Sequence, residues 1–327
     1  MNLFSAVADL LKPAPPPDSQ LLDALTRVAS RVDPMLRAAS HFEQRLAAPL
    51  THALGYCAGL VGALPGPIAV DRQAFAGDPL VHALFATAND IDQMLGRSQA
   101  VRDFLASPAS WQDDHFYALL VARHQEKQQL GMKRRGDLIE NDVPQRVLFF
   151  SDQTLIAPQC DLGELRQVLR GMALDSLLQT FQAHLDALRH ERDGLRADAS
   201  VERAHLTVLH ATSGREIEVC TRHLDELDDR LRQIAETLMP DPLLDALGDF
   251  LLKPEPALHL TPLCISVDRL GIVRDPADDA SVQTLNFPEL SSRDQRLHLA
   301  TLVRIRRDEA SEAVEVVRDQ QRRFMLI

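Results

Sequence analysis

The chain has 327 residues, of which 45% are hydrophobic and 25% are charged, fractions that are typical of globular proteins and exclude a wholly disordered chain. Aromatic residues make up only 5%, which disfavours sandwich and barrel cores because these rely on aromatic and β-branched side chains. The net charge of −12 disfavours general binding to nucleic acids and to anionic lipid surfaces, since both are negatively charged.

The four cysteines are far apart in sequence and form no C-x-x-C pair; they are Cys57, Cys160, Cys220 and Cys264. This spacing indicates buried free thiols rather than a disulfide framework or a zinc module. Free thiols are typical of a reducing compartment. The first residues also lack the basic start and the long apolar run of a secretory signal, so we expect a cytoplasmic protein.

The first segment, residues 1–17, is predicted to contain a short amphipathic helix followed by a proline-rich tether. Leu3, Val7 and Leu10 fall on one face at helical spacing. Pro13 ends that helix, and three further prolines up to residue 17 favour a stiff, extended spacer. The apolar face is therefore a candidate contact surface, either for a partner or for the rest of the chain.

Residues 18–135 are predicted to form a helical domain. Asp78 followed by Pro79 is a helix start signal, because Asp accepts hydrogen bonds from the first free N–H groups and proline suits the first helical position. A further helix is predicted over residues 113–133, where apolar residues such as Leu120 are interspersed with polar ones.

The stretch over residues 46–70 carries no charged side chain and is long enough to span a bilayer. It contains several glycines and prolines and few large aliphatic residues, so its transfer into lipid would release little free energy. Small residues also suit close packing between helices. We therefore interpret the stretch as part of a packed core. Peripheral membrane association, through this stretch or through the N-terminal helix, is the alternative.

A β-hairpin is predicted over residues 145–157. Two short runs, Val147–Phe150 and Thr154–Ile156, are rich in residues that favour strands. Ser151-Asp152-Gln153 lies between them and has the polar character of a turn. The two runs are therefore expected to pair with each other as antiparallel strands.

Residues 161–253 carry the clearest pattern in the chain. From Leu174 to Leu209, seam residues recur alternately four and three residues apart, and the charged Arg192 and Glu202 are the interruptions. A second seam runs without a miss to Leu238 and includes Ile217, Leu224, Leu227 and Leu231. A spacing that averages 3.5 residues is typical of a coiled coil. We interpret the range as a stalk of two antiparallel helices whose seam residues are candidate partner contacts.

The two helices of the stalk are predicted to meet at a turn near residues 211–215. Ser213 and Glu216 have the spacing of a capping box, in which each side chain accepts a hydrogen bond from an N–H at the start of the new helix. A bend between Gly194 and Ser200 is the competing interpretation, because charged residues weaken the seam on both sides of it.

Residues 254–327 are predicted to form strands and a final helix. The strands cover Leu258–Val267, a return from Ile272, residues 285–287 and residues 297–306, and the helix begins near Asp308. Pro262 indicates that the first of these strands lies at a sheet edge, because proline cannot donate a ladder hydrogen bond.

The strand over residues 297–306 has a basic outer face that includes Arg296, Arg304 and Arg306. This face is a candidate contact for an anion or an acidic partner. It lacks the interleaved aromatic residues that are typical of single-strand nucleic-acid binders. A solvated edge, or pairing with acidic helices of the same chain, is the competing interpretation.

Motifs that carry chemistry are missing from the sequence. It contains no phosphate-binding glycine loop, no H-E-x-x-H motif and no G-x-S-x-G elbow. No spacing places two histidines on adjacent turns of one helical face. We therefore predict no catalytic residue, no cofactor and no metal site.

Taken together, these patterns predict a mainly α protein with a small antiparallel β element. In this α+β fold, a helical N-terminal region and a small α/β base hold the coiled-coil stalk. The predicted function is that of a non-enzymatic scaffold or adaptor that acts through coiled-coil and helical surfaces. The expected partner is another protein or a second copy of the chain. An enzyme whose site forms only in the folded chain is a further alternative.

Overall fold

The computed structural model describes residues 19–135, 138–209, 214–268, 271–274, 282–292 and 297–324. The predicted N-terminal helix with Leu3, Val7 and Leu10 lies outside these residues, and so do Ser213 and Arg296. Within the described residues helices predominate and the strands form one sheet, so the chain belongs to the predicted mainly helical α+β class.

The helices, in chain order, are α1 Ser19–Arg31, α2 Phe42–Gly62, α3 Arg72–Gly77, α4 Pro79–Leu84, α5 Ala88–Arg97, α6 Gln99–Ala106, α7 Leu162–Leu209, α8 Gly214–Thr237, α9 Pro240–Leu251 and α10 Arg307–Phe324. Two short 3₁₀ helices, Pro34–Ala38 and Pro108–Trp111, lie between them. The start signal predicted for α4 is confirmed, because the carboxylate of Asp78 accepts hydrogen bonds from the N–H groups of Leu80 and Val81.

The strands are β1 Ile68–Ala69, β2 His115–Arg135, β3 Leu138–Gln159, β4 Leu258–Val267, β5 Gln283–Ser292 and β6 Leu297–Arg306. They form one sheet in the order β3-β2-β6-β5-β4 with antiparallel neighbours, and β1 pairs with β6 in parallel. The predicted strand over Leu258–Val267 is confirmed at both ends, and it lies at a sheet edge. The predicted strand over residues 297–306 and the final helix are also confirmed.

The chain divides into two compact units. The first consists of Met1–Gly55 and Asp175–Pro254, and the second of Tyr56–Leu174 and Glu255–Ile327. Both boundaries near residues 55 and 174 fall inside helices, because α2 and α7 continue from one unit into the other. Each unit is therefore assembled from segments that are distant in the sequence.

In the second unit, residues 271–274 connect the two edges of the sheet. The N–H of Val273 donates to the carbonyl oxygen of Arg146 in β3, and the N–H of Arg274 donates to that of Ser266 in β4. The sheet therefore curls until its edge strands share one connecting segment. Pairing an edge in this way removes exposed backbone groups that favour aggregation.

The core of the second unit covers both faces of β6. Leu299 and Val303 pack into a cluster with β2, β5 and the short helices, whereas Ala300 and Leu302 pack on the opposite face against α7. All four side chains are fully buried. Burial on both faces explains why residues 299–303 of this strand are apolar apart from Thr301.

The helix predicted over residues 113–133 is wrong, because this range is β2. Alternate side chains of its first half are buried, namely Phe116, Ala118, Leu120 and Ala122. Leu119 is also buried, on the other face of the sheet, so the period of two was obscured in the sequence. Pairing with β3 and β6 outweighs the local helix preference of the polar residues that follow.

The hairpin predicted over residues 145–157 is also wrong, because β3 continues through this range and pairs with β2 along its length. Asp152, at the predicted turn, has φ of 57° and lies where the register with β2 shifts. The polar tripeptide is therefore a β-bulge rather than a turn. With strands of 21 and 22 residues in a six-stranded sheet, the β part is larger than the sequence predicts.

The first unit is built from helices. Its fully buried side chains come from different elements. Leu36 belongs to the first 3₁₀ helix, Leu46 to α2 and Leu177 to α7. The ring of Phe181 in α7 lies 5.4 Å from that of Phe250 in α9, a separation typical of interacting aromatic pairs. Apolar packing between distant helices therefore forms the core of this unit.

Polar contacts also join α2 to α9. Arg45 forms ion pairs with Asp241 and Asp245. The hydroxyl group of Ser40 donates to the Asp241 carboxylate at 2.6 Å. The hydrogen bonds from Ser40 and Arg45 hold the pKa of Asp241 below its ordinary value.

Among the described helices, none combines the length and the hydropathy that a bilayer crossing requires. The uncharged stretch over residues 46–70 forms most of α2 and ends in the short strand β1. Leu50, Ala53 and Cys57 in this stretch are fully buried. Peripheral membrane association through its surface stays a prediction.

Candidate functional site

The strongest candidate for a functional site is the pair of helices α7 and α8. Arg230 in α8 contacts Glu191 in α7, while Cys220 contacts Glu202 further along α7. As residue numbers rise along one helix they fall along the other, so the two helices run antiparallel. We call this pair the hairpin, and use the name for the part from residue 175 to residue 237.

The break between the two helices lies at residues 210–213, which are outside the described residues. The turn predicted near residues 211–215 falls mainly on these residues and stays a prediction. The competing bend between Gly194 and Ser200 is wrong, because α7 continues through it as a helix. Arg192 and Glu202 interrupt the apolar seam without interrupting the helix.

Burial along α8 follows the predicted spacing. Leu227 is buried, while Ile217, Leu224 and Leu231 are half-buried. Cys220, which is also a seam position, is buried and Asp228 is half-buried, and the other described positions between Ile217 and Leu231 that lie outside the seam are exposed. The predicted seam residues therefore face away from solvent, as a helix with one covered stripe requires.

Charged residues on both sides of the seam pair across the hairpin. Glu191 and Arg230 each follow a leucine of the seam by three residues, and their side chains are 2.7 Å apart. Arg203 and Asp228 each follow a seam position by one residue, and they are 2.6 Å apart. Like positions meet in both pairs, which is the symmetry expected of two antiparallel helices with a common seam.

Apolar side chains are also exposed near the end of the hairpin that adjoins residues 210–213. Val201 and Val208 in α7 are 68% and 74% exposed, and Val219 in α8 is 59% exposed. Val201 and Val208 are seven residues apart and share one face of α7. Each of the three valines comes directly before a seam position, namely Glu202, Leu209 and Cys220. The three valines therefore occupy equivalent positions on the two helices. We call these three residues the valine patch.

A polar cluster lies between the two helices beside the valine patch. Donor atoms of Glu202, His205 and Cys220 all lie within 4.8 Å of one another. Nδ1 of His223 lies 3.5 Å from Oε1 of Glu202. Cys220 is buried and Glu202 half-buried, whereas His205 and His223 are exposed. We call these four residues the ligand cluster, because their side chains are common metal ligands.

The electrostatics of the ligand cluster centre on Glu202. Its hydrogen bond and its charge raise the pKa of Cys220 to about 11. The same hydrogen bond from Cys220, together with the nearby His223 and His205, lowers the pKa of Glu202. The Cys220 thiol is therefore protonated at neutral pH, and the backbone carbonyl oxygen of Glu202 lies 3.7 Å from its sulfur.

Comparisons with known proteins do not assign the hairpin to a family. The chain matches no family model, no curated protein and no solved structure. The functional argument therefore rests on the geometry of the described residues.

The predicted basic face of β6 is partly neutralised within the chain. Arg304 and Arg306 are exposed and Arg296 lies outside the described residues. Arg306 pairs with Asp308 and contacts Glu309 in the first turn of α10. The ion pair lowers the pKa of Asp308. The arrangement agrees with pairing to an acidic helix of the same chain, and binding of an outside anion stays a prediction.

A cleft of about 610 Å³ in the second unit brings together polar residues that the sequence separates. Nδ1 of His124 lies 2.8 Å from Oε1 of Glu289, and both side chains are largely buried. The two atoms do not have the alignment of a hydrogen bond, so the contact is a close approach of two polar groups. Arg146 and Arg274 also line the cleft, and each pairs with a carboxylate.

Sequence reasoning missed both the ligand cluster and the cleft. For the ligand cluster a signal exists, since Glu202 and His205 are spaced E-x-x-H before the break and Cys220 and His223 are spaced C-x-x-H after it. A search within single helices cannot find such a set. For the cleft no signal exists, because His124 and Glu289 meet only through the sheet order.

Proposed function

We propose that the chain is a non-enzymatic scaffold or adaptor whose hairpin pairs with itself as an antiparallel coiled coil and binds another protein. In this proposal the seam holds the two helices together, and residues outside the seam meet the partner. The partner contributes an apolar surface, such as one face of an amphipathic helix.

The valine patch carries this proposal. Exposed valines lower helix propensity relative to alanine and gain nothing from water, so a role in folding does not explain them. Three such residues recur at equivalent positions of the two helices near the same end of the hairpin, which is a pattern rather than one scattered exception. The seam supports the patch, because burial of Leu227 and Ile234 holds α8 against a neighbouring helix.

A triple variant of the valine patch tests the proposal. Val201→Glu, Val208→Glu and Val219→Glu together add charge to the patch without touching the seam. The variant is expected to retain the helix content of the natural chain and to lose its partner. Crosslinking in cells followed by mass spectrometry, using the full-length chain as bait, measures the loss.

The matched control adds the same number of charges to exposed residues of the same helices that lie away from the valine patch. These are Gln179→Glu, Ala187→Glu and Ala235→Glu, all outside the seam. The control is expected to retain its crosslinked partners. If the valine variant and the control variant crosslink to the same proteins as the natural chain, the hairpin is not the binding surface and the proposal is wrong.

A second candidate function is the binding or conversion of a small molecule in the cleft of the second unit. The His124–Glu289 pair supports it, because a largely buried imidazole beside a carboxylate is a common arrangement in acid–base catalysis. A thermal-shift screen with small carboxylates and phosphate esters tests it, with His124→Gln as the comparison. A compound that stabilises the natural chain but not the variant favours this function, and equal shifts in both contradict it.

A further inference from the structure

The two halves of the ligand cluster are placed symmetrically about the break between α7 and α8. Glu202 and His205 lie on the last turns of α7, and Cys220 and His223 lie on the early turns of α8. His205 and His223 each follow their seam residue by three positions. Nδ1 of His223 lies 3.5 Å from Oε1 of Glu202, so His223 approaches the other three residues from α8.

The atoms that would bind a metal already lie close together in the folded chain. The donor atoms of Glu202, His205 and Cys220 are within 4.8 Å of one another. Ligand atoms around a tetrahedral zinc ion lie about 3.5 Å apart, given bonds of about 2.0–2.3 Å. For these three donors the difference is within the reach of side-chain rotations, and His223 lies beside them through its 3.5 Å contact with Glu202.

The chemistry of the donor set selects the metal. One thiolate and two imidazoles favour zinc and similar transition metals, and disfavour magnesium and calcium, which take oxygen ligands. Three or four ligands of these types from two elements are typical of zinc sites. Burial of Cys220 between the helices limits competition from water.

We propose that Glu202, His205, Cys220 and His223 bind one Zn²⁺ ion and thereby clip the end of the hairpin. On binding, the Cys220 thiol loses its proton to solvent, and its sulfur replaces the hydrogen bond to Glu202 with a bond to the metal. The carboxylate of Glu202 and the imidazole nitrogens complete the coordination shell. This proposal goes beyond the scaffold function, because a hairpin can bind zinc with or without a partner protein.

Zinc at this position would join α7 and α8 where the seam residues are least buried. Seam residues near the break, such as Ile217 and Leu206, are only half-buried, whereas Leu185 and Ile234 at the other end are buried. A ligand that binds only the folded state stabilises it by mass action. Zinc is therefore expected to suppress opening of the helix ends next to residues 210–213.

Metal titration of the full-length chain tests the proposal. The chain is stripped with a chelator, dialysed and titrated with zinc chloride by calorimetry, and separately with cobalt chloride by absorption spectroscopy. The expected result is one equivalent of metal per chain. Cobalt is expected to produce a charge-transfer band from a thiolate ligand, and this band identifies Cys220.

Two variants show whether the cluster is the site. His205→Gln removes an exposed ligand and leaves the buried seam intact, so it is expected to fold normally and to lose at least about tenfold in zinc affinity, since even outer partners of zinc ligands contribute that much. Cys220→Ser is expected to abolish the charge-transfer band. His52→Gln and Cys264→Ser alter an exposed histidine and an exposed cysteine elsewhere, and are expected to bind as the natural chain does.

Two outcomes would contradict the zinc proposal. If the chain binds no zinc at micromolar concentration, the proposal is wrong. If it binds zinc but His205→Gln and Cys220→Ser bind equally well, the metal lies elsewhere and the proposal is also wrong. Loss of partner binding in the valine patch variant with unchanged zinc binding supports the two roles as separate.

Discussion

Glu191 in α7 and Arg230 in α8 are 39 positions apart in the chain, yet their side chains lie 2.7 Å apart. The two side chains are 39% and 50% exposed, so water screens their attraction. The pair therefore indicates the register of the two helices and contributes little to their stability. A second pair, Arg203 with Asp228, also joins the two helices.

Charge reversal tests this register. Arg230→Glu is expected to lower the free energy of unfolding by no more than about 1 kcal/mol, because the pair is exposed. Adding Glu191→Arg to the same chain is expected to restore most of that loss, since the ion pair is rebuilt with opposite polarity. Urea unfolding followed by circular dichroism measures both. If the double variant loses the sum of the two single losses, the residues do not interact.

Truncation inside and outside the seam is expected to have different costs. Leu227→Ala is expected to cost about 2 kcal/mol or more, because the side chain is only 9% exposed and its removal leaves a cavity between the helices. Val219→Ala, on the same helix and 59% exposed, is expected to change stability by less than about 0.5 kcal/mol. Equal costs for the two variants would show that the seam is not packed.

The helical part of the fold was predictable because its signal is local. Along α8 a single partner stripe is buried, so the positions of Ile217, Leu224 and Leu231 are visible as a spacing in the sequence. Capping by Asp78 is also local, and it was predicted correctly. These signals involve residues that are at most four positions apart along one helix.

The sheet and the ligand cluster were not predicted, because the residues that form them come together only in the folded chain. In β2, Leu119 and Leu120 are both buried on opposite faces, so alternation is lost where the sheet is covered on both sides. Asp152 looks like a turn residue and instead forms a bulge, because β2 supplies a partner strand on each side of it. His205 and Cys220 meet only when two helices are placed together.

Stability in acid is expected to depend on Asp241. Its pKa is lowered in the folded chain by hydrogen bonds from Ser40 and Arg45. The ionised form is therefore favoured on folding, and the stabilisation is complete above the ordinary pKa of 3.8 and is lost as pH falls through the lower folded pKa. Asp241→Asn is expected to be less stable than the natural chain at pH 7, and the difference is expected to shrink below about pH 4.

Asp249→Asn is the matched control for this measurement, since Asp249 is an exposed carboxylate of the same helix. Thermal unfolding of the three chains between neutral and acid pH compares them directly. The control is expected to follow the natural chain at every pH. A difference between Asp241→Asn and the natural chain that stays constant with pH would mean that the carboxylate charge is not what stabilises α9.

Cysteine reactivity is expected to follow burial. Burial raises the pKa of Cys57 to about 12, whereas Cys264 is exposed. Because the thiolate is the reactive form, iodoacetamide at pH 8 is expected to modify Cys264 first and Cys57 last. Peptide mass spectrometry over a time course measures the order. In urea both thiols are expected to react at similar rates, which serves as the control.

The raised pKa of Cys57 is also expected to affect the stability of the chain at alkaline pH. The ordinary pKa of the thiol is 9.0, so in the unfolded chain Cys57 loses its proton near that pH, while the folded chain keeps the proton until about pH 12. Over this window the folded state binds more protons than the unfolded state, and stability must fall as pH rises. Cys57→Ala removes this contribution, so its stability is expected to decline less steeply above pH 9 than that of the natural chain. An identical decline in both would show that Cys57 ionises in the folded chain as readily as in the unfolded one.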